Sequence, residues 1–454
     1  MDNNIATIYT AQKGRKELSY NDRISVLEAL EERIKDLEPR IVDALKADLR
    51  KPRFESFLSE IDFCLHEIKT VKKKLKKWMK PRRVCSPLPF MPAKSRIHFE
   101  PYGQVLVIAP WNYPFQLAIV PLIGAIAAGN KVILKPSEVA PNTSSILNEL
   151  ISSALDSEIA AVVEGGVDET TELLNLKFDY IFYTGNGHVG RIIMAAAAKN
   201  LTPLTLELGG KSPAIVGTKN LDLAAKRIVW GKFFNAGQTC VAPDYVLLRK
   251  EDQDEFINSA KKYLVQFYGD NVKNSPDYGR IINERHFDRL NALVKKDDVL
   301  IGGDVDKSDL YISPTFIKAN ESSEIMQDEI FGPILPLVNI DNLDEAIAYV
   351  KRHDKPLACY AFLDKTSEKN RVINEISSGG MVINDTIIHL SNDQLPFGGV
   401  GESGMGAYHG KHSFELFSHR KSVMNRAFFL ENDLRYPPYS KKESFIRKLM
   451  NLIS

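Results

Sequence analysis

Gln104-Val105-Leu106-Val107-Ile108-Ala109-Pro110-Trp111-Asn112-Tyr113-Pro114 is the stretch that decides the fold. Its first half is apolar and largely β-branched, the composition of a strand covered on both faces. Pro110 and Pro114 bracket a turn, and a helical stretch follows to about Ala128. Short apolar runs of the same kind recur at 132–134, 160–163 and 180–183, with helical stretches near 144–155, 169–174 and 189–199 between them. This β-α-β-α order predicts an α/β fold with a parallel sheet and helices on both faces. Such sheets bind ligands at the carboxyl ends of their strands, so function is expected in the loops that follow these runs.

Outward from that core, a second α/β segment is expected from about 206 to 393. It holds a helix at 221–234, a strand at 245–248 and a helix at 252–267. The first eighty residues read as helices. Asn21 or Asp22 is a candidate cap, Ile24, Leu27, Leu30, Ile34 and Leu37 recur at helical spacing, and Pro39 is expected to interrupt the pattern. A second helical stretch covers 52–80. Four prolines between Pro81 and Pro92 forbid a helix or a central strand there. The glycine-rich run 396–406 is expected to be loop, because each glycine costs a helix roughly 1 kcal/mol.

Composition narrows the function. A chain of 454 residues, 44% of them apolar, is long enough for two or three domains. The 59 Lys and Arg balance 58 Asp and Glu, which argues against nucleic acid as the main partner. The run Lys72-Lys73-Lys74-Leu75-Lys76-Lys77 reads as a solvated helix face with Leu75 and Trp78 turned inward. Four cysteines without CxxC spacing imply no zinc or dithiol site and suit a reducing compartment. Met1-Asp2-Asn3-Asn4 does not begin a secretory signal, and the longest apolar run, 117–129, is too short to span a bilayer, so the cytoplasm is the expected location.

Two runs carry the chemistry. Phe234-Asn235-Ala236-Gly237-Gln238-Thr239-Cys240 ends on a cysteine whose small neighbours can present its sulfur at a cleft. Leu206-Glu207-Leu208-Gly209-Gly210-Lys211-Ser212-Pro213 supplies the Glu207 carboxylate. A thiol that bonds covalently and a carboxylate that moves a proton are what thioester chemistry needs. Gly185-Asn186-Gly187-His188-Val189-Gly190 matches GxGxxG between a strand and a helix. It falls later in the chain than the usual first βα turn, and reads either as a helix N-terminus facing a cofactor or as a plain tight turn. Lys135-Pro136-Ser137-Glu138 can reach ribose hydroxyls or form a surface turn. Asn112 can donate its amide to an oxyanion, an interaction whose loss typically costs about 2.7–4 kcal/mol, or sit in an Asx turn. Glu329-Ile330-Phe331-Gly332-Pro333 can grip a sugar and support a flat ring, or be loop with Phe331 in the core.

Taken together and in this order, Pro110-Trp111-Asn112, Lys135-Pro136-Ser137-Glu138, Glu207-Leu208-Gly209-Gly210-Lys211, Gly237-Gln238-Thr239-Cys240, Glu329-Ile330-Phe331-Gly332-Pro333 and Pro396-Phe397-Gly398-Gly399 resemble the aldehyde dehydrogenase superfamily from about residue 20 to 420. Tyr408-His409-Gly410-Lys411-His412-Ser413-Phe414 and Leu434-Arg435-Tyr436-Pro437-Pro438-Tyr439 are similar to its class 3, fatty-aldehyde branch. The resemblance implies Cys240 as nucleophile, Glu207 as general base and Asn112 as oxyanion donor. It implies that Trp111, Lys135, Glu138, Gly185, Gly187, Gly190, Glu329 and Phe331 bind the cofactor. That cofactor is NAD by preference, because Glu138 repels a 2′-phosphate, with NADP also accepted. The family more often has Ser or Thr at Gly187, so backbone N–H groups would stand in for a side-chain contact to pyrophosphate. No metal is implied.

The same resemblance implies a Rossmann-type cofactor domain at 1–80 and 100–206, and an α/β catalytic domain at 207–395. Oligomerisation or bridging segments at 81–99 and 396–435 would build a homodimer, with a C-terminal tail at 436–454. The expected reaction is NAD(P)-dependent oxidation of medium- or long-chain aliphatic or aromatic aldehydes to acids through a Cys240 thioester. The alternatives are a coenzyme A-acylating dehydrogenase, against which Glu207 weighs, and a non-catalytic protein that keeps the fold. In the tail, Phe445, Ile446, Leu449, Met450 and Ile453 share one face of an amphipathic stretch. Docking on protein is preferred there to weak contact with an anionic membrane.

Overall fold

The computed structural model describes residues 5–13, 17–87, 90–295, 298–431, 433–440 and 442–453, and of 449, 452 and 453 the backbone alone. Met1-Asp2-Asn3-Asn4 and the side chains of Leu449 and Ile453 therefore lie outside the described residues. The chain divides into two compact units, one of residues 1–78 and 101–418, the other of 79–100 and 419–454.

The large unit is built on two sheets. The six-stranded sheet runs in the order Gly404–Met405, Leu204–Glu207, Tyr180–Thr184, Gln104–Ile108, Lys131–Lys135, Ala160–Val162. All its pairings are parallel except that of Gly404–Met405. The strands Gln104–Ile108, Lys131–Lys135 and Tyr180–Thr184 are buried at every residue, as the apolar runs at their centres predict, and the polar Gln104, Lys131, Lys135 and Thr184 at their ends are buried too. The helix Gln116–Ala128 is buried at every residue too. Pro121 is accommodated inside it, and no described helix is long and apolar enough to cross a membrane.

Strand order explains the late glycine motif. From Gln104–Ile108 the chain steps outward through Lys131–Lys135 to Ala160–Val162, then returns to lay Tyr180–Thr184 on the other side of the first strand. The order reverses between Gln104–Ile108 and Tyr180–Thr184, and the crevice at such a switch point is where doubly wound sheets bind ligands. Trp111-Asn112 follows one of these strands and Gly185-Asn186-Gly187 the other.

The chain leaves this sheet at Glu207, so the strand Leu204–Glu207 belongs to it and not to the second α/β segment expected from about 206. The seven-stranded sheet begins with Pro213–Val216. Its order is Val299–Ile301, Thr315–Ala319, Ile334–Ile340, Tyr245–Arg249, Pro213–Val216, Ala358–Phe362, Gly380–Ile383. Its core includes Tyr245, Leu247, Phe287, Ile317 and Ile334.

Three local expectations are corrected. The first long helix, Tyr20–Leu49, is capped by Ser19, and Asp22 completes the capping box by accepting the Ser19 N–H. Pro39 does not interrupt that helix: it lies on the exposed face, where water can satisfy the carbonyl it leaves free. The glycine-rich run is not all loop, because Gly404–Met405 pairs antiparallel with Glu207 and Leu206. The lysine run does form a solvated face, with Leu75 and Trp78 buried and Lys72 paired to Glu28 and Glu31.

The small unit is a three-stranded sheet in the order Arg82–Val84, Ala93–Pro101, Ser418–Arg426, followed by the helix Glu443–Ile453. Arg82–Val84 is an exposed edge strand, the one kind of strand its proline-rich surroundings allow.

Candidate active site

Cys240 is presented by a strained loop. The helix Leu221–Phe233 ends in the short 3-10 segment Phe234–Gly237, where Asn235, Ala236 and Gly237 take φ of 54°, 50° and 73°. Three consecutive left-handed residues reverse the chain within one turn. At Gly237 a Cβ would stand 2.3 Å from the Gly332 carbonyl oxygen, so glycine is required on steric grounds as well. The turn is held from inside by Gln238, whose Nε2 donates to Asn235 O at 3.1 Å and to Arg280 O at 2.9 Å. Cys240 is left half-buried at a cavity of about 300 Å³ with mostly apolar walls, among them Phe63, Trp230, Phe397 and Tyr408.

Burial pushes the Cys240 thiol up, and the Glu329 and Glu207 carboxyls add to the effect. The backbone N–H groups of Cys240 and Val241 oppose it. A thiol raised in this way becomes a nucleophile once a base has taken its proton. Glu207 is the last residue of its strand and 3% exposed, and neither carboxyl oxygen has a hydrogen-bond partner among the described residues. Burial holds its carboxyl well above the usual range. A buried carboxyl with nothing to satisfy it is destabilising and points to function.

Asn112 joins the same group. Its Nδ2 donates to the Gln238 carbonyl at 3.0 Å, and the second N–H of the amide has no acceptor among the described residues. Tyr113 fastens the loop further through a 2.7 Å contact between its hydroxyl and Thr239 Oγ1.

Glu329 lies against Gly209, where a Cβ would come within 1.9 Å of its carboxyl oxygen. Burial and Asp244 push its carboxyl up to about 8, against the Gly210 N–H, Lys211 and Lys232. Phe331, at φ 50°, meets Trp111 edge-on at 5.3 Å, and Trp111 also packs on His286 at 4.9 Å. Lys135 is 2% exposed at the end of its strand, with Nζ donating to Pro136 O at 2.7 Å and standing 3.6 Å from the half-exposed Glu138. Gly185 ends the strand at the switch point. Gly187 opens the helix Gly187–Asn200, with Asn186 as cap accepting the Val189 N–H. Gly190 sits where a Cβ would come 3.1 Å from Leu208.

These residues fit a dinucleotide. The N–H groups of Gly187 and His188 take no acceptor among the described residues and suit a pyrophosphate. The buried Lys135 is placed for a ribose. The structure thus brings Cys240, Glu207, Glu329 and Asn112 together, and sets Lys135 and Glu138 one strand further out. Sequence reasoning missed the cavity walls, which come from separate segments, and the buried Lys51, Glu55 and Glu60 behind the Asn112 loop. Lys51 and Glu60 carry no local signal, because ordinary helix termini contain the same residues.

A cysteine thiol on an apolar cavity, a buried carboxyl near enough to raise it and a crevice at the switch point of a parallel sheet fit a cofactor-dependent enzyme. The match to the aldehyde dehydrogenase family over residues 1–423 makes the class specific, and the chain belongs to that family. It is 49% identical over 436 residues to the 4,4′-diaponeurosporen-aldehyde dehydrogenase of Staphylococcus aureus (strain NCTC 8325 / PS 47), covering 95% of each chain. It is 48% identical over 431 residues to the dimeric NADP-preferring aldehyde dehydrogenase of Rattus norvegicus, covering 94% of this chain and 95% of that one. The substrate-bound structure of Staphylococcus aureus AldH superposes with a TM-score of 0.96 at 46% identity, covering 98% and 99%. Relatives named as family 3 members bear out the class 3 resemblance. The chain is an aldehyde dehydrogenase that uses NAD(P), and the coenzyme A-acylating alternative finds no support among these relatives.

The raised Glu207 carboxyl gives a pH prediction. Only its ionised form can take a proton from water, so thioester hydrolysis should accelerate as pH rises, and at pH values well above the usual carboxylate range. Glu207→Gln should slow and flatten that profile while a burst of reduced cofactor persists. Stopped-flow absorbance at 340 nm checks both; an unchanged profile in the variant removes Glu207 from the hydrolytic step.

Proposed function

We propose that Cys240, Asn112 and Glu207 divide the reaction between them, and that the substrates are medium- or long-chain aliphatic or aromatic aldehydes. The observation that carries this reading is the unpartnered Glu207 carboxyl close enough to Cys240 to raise its thiol, with an apolar cavity of about 300 Å³ above. The Cys240 thiol passes its proton to the ionised Glu207 carboxyl, which returns it to water, and the sulfur bonds to the aldehyde carbon. The free N–H of Asn112 and the Cys240 backbone N–H hold the oxygen that becomes negative. The Gly187 helix N-terminus, Lys135, Glu138, Glu329, Phe331 and Trp111 would hold NAD(P), which would supply the two-electron oxidant needed to take a hydride from this adduct and leave a thioester. Glu207 then draws a proton from water, and the resulting hydroxide releases the acid and frees the sulfur. Mostly apolar cavity walls favour a hydrocarbon chain over a sugar or an amino group on the substrate. The Staphylococcus relative is named for an aldehyde, 4,4′-diaponeurosporen-aldehyde, which supports an aldehyde as the substrate here.

Glu138 beside Lys135 supports NAD over NADP, although the Rattus relative is named NADP-preferring. The domain reading places the cofactor domain on the six-stranded sheet, the catalytic domain on the seven-stranded sheet, and a homodimer arm in the small unit. Free cysteines without a disulfide support the cytoplasm. One observation favours a second partner for the small unit. Residues 79–100 and 419–454 hold thirteen Lys and Arg against four Asp and Glu, although the whole chain is balanced. Phe428, Phe429 and Leu430 are exposed beside them, and such a surface fits anionic lipid.

Reduction of cofactor by an aliphatic aldehyde tests the chemistry. Cys240→Ala should retain cofactor binding and turn over at less than about a thousandth of wild type; faster turnover takes Cys240 out of the role. In the same assay NAD should give the higher specificity constant, and a higher value for NADP contradicts the Glu138 argument. Sedimentation with anionic vesicles decides the partner: the dimer reading predicts a two-chain particle left in the supernatant, whereas salt-sensitive pelleting supports the lipid reading.

A further inference from the structure

Lys51 and Glu60 lie outside every motif that marks the site, yet both reach it. Lys51 follows the cap Arg50 of the helix Tyr20–Leu49, and Glu60 lies on the π-turn Phe57–Ile61, a distortion frequent at functional sites. Their side chains form an ion pair with 0% exposure on both sides. Two charges taken wholly out of water persist only where further hydrogen bonds satisfy them. Here those bonds converge on one loop. Lys51 Nζ donates to the Asn112 backbone carbonyl at 3.1 Å and stands 4.0 Å from the Tyr113 ring centroid. Glu60 Oε2 accepts the N–H groups of Phe115 at 3.0 Å and Gln116 at 2.9 Å.

The loop is gripped from the nucleophile side as well. Asn235 Nδ2 donates to the same Asn112 carbonyl at 2.9 Å, and Glu55 accepts the Asn235 N–H at 2.9 Å. Both lone pairs of the Asn112 carbonyl are thus engaged, one by the pair and one by the Cys240 turn.

We propose that the buried Lys51–Glu60 pair is a positioning device for the oxyanion donor, fixing the Asn112 backbone so that the free N–H of its side-chain amide faces the oxygen formed beside Cys240. This rests on the oxyanion role of Asn112 given above. An apolar pair would fill the same space but could not hold a carbonyl. Lys51 and Glu60 touch no reacting atom and act through Asn112.

The test is a double-mutant cycle of Lys51→Met and Asn112→Ala, read by single-turnover formation of reduced cofactor at 340 nm and by NADPH binding. Lys51→Met should slow the turnover roughly 30- to 100-fold, the scale of a misplacement of about 1 Å, and leave the NADPH dissociation constant within about twofold. In the Asn112→Ala background it should cost less than about threefold more, because its effect passes through a group already removed. A wild-type rate in Lys51→Met, or the same loss in both backgrounds, overturns the positioning claim alone. A rate indifferent to Asn112→Ala overturns the oxyanion reading, and this proposal with it. If Lys51→Met fails to fold, Glu60→Gln carries the same cycle, since it keeps an oxygen for Phe115 and Gln116 and removes the charge that holds Lys51.

Discussion

Both oxygens of Glu207 are buried without a hydrogen-bond partner among the described residues, and the rest of the site is arranged around that constraint. Ionising a carboxyl in such a place is costly, and burial holds the Glu207 carboxyl well above its usual range. Its place is fixed by backbone bonds on either side: the Gly185 N–H donates to the Glu207 carbonyl at 3.0 Å, and Gly404–Met405 pairs on the other edge. The Cys240 thiol is held in a similar state by the same burial. Burial thus raises two groups that stand near each other, and only the thiol lines the apolar cavity.

The remaining parts serve to keep that small volume in register. The switch point between Gln104–Ile108 and Tyr180–Thr184 opens the crevice. Three left-handed residues turn the chain so that the sulfur enters from the seven-stranded side. Gln238 accepts from Asn112 on one side and donates to Arg280 on the other, tying the two halves of the large unit together at the thiol. The buried Lys51–Glu60 pair continues the same chain of bonds into the first helices.

Much of this was legible in the sequence, for identifiable reasons. Strands buried on both faces leave a short apolar run, and residues 105–109, 132–134 and 180–183 carry it, whereas the buried polar ends Gln104, Lys131, Lys135 and Thr184 do not show in it. The chemical groups were legible because Cys240, Glu207 and Asn112 each stand at the end of a strand or turn, in runs marked by glycine or proline. What stayed hidden depended on contacts distant in sequence. The short strand Gly404–Met405 exists only because Leu206 and Glu207 offer an edge, and its glycines argued for loop. Pro39 survives inside a helix because its face is exposed, a fact of packing that spacing does not encode. The cap at Ser19 was missed because Asp22, three residues on, is an equally good cap in isolation. Lys51 and Glu60 look like ordinary helix-end charges until the fold closes water away from them.

The claim on which the account turns is that the aldehyde carbon is carried by the sulfur of Cys240. Acid-quenching Glu207→Gln during turnover of an aliphatic aldehyde, followed by peptide mass spectrometry, tests it most directly. The account predicts an acyl group on the peptide containing Cys240, in near-stoichiometric amount and lost on treatment with hydroxylamine. An unmodified Cys240, or an acyl group on Cys64, Cys85 or Cys359 instead, would contradict it.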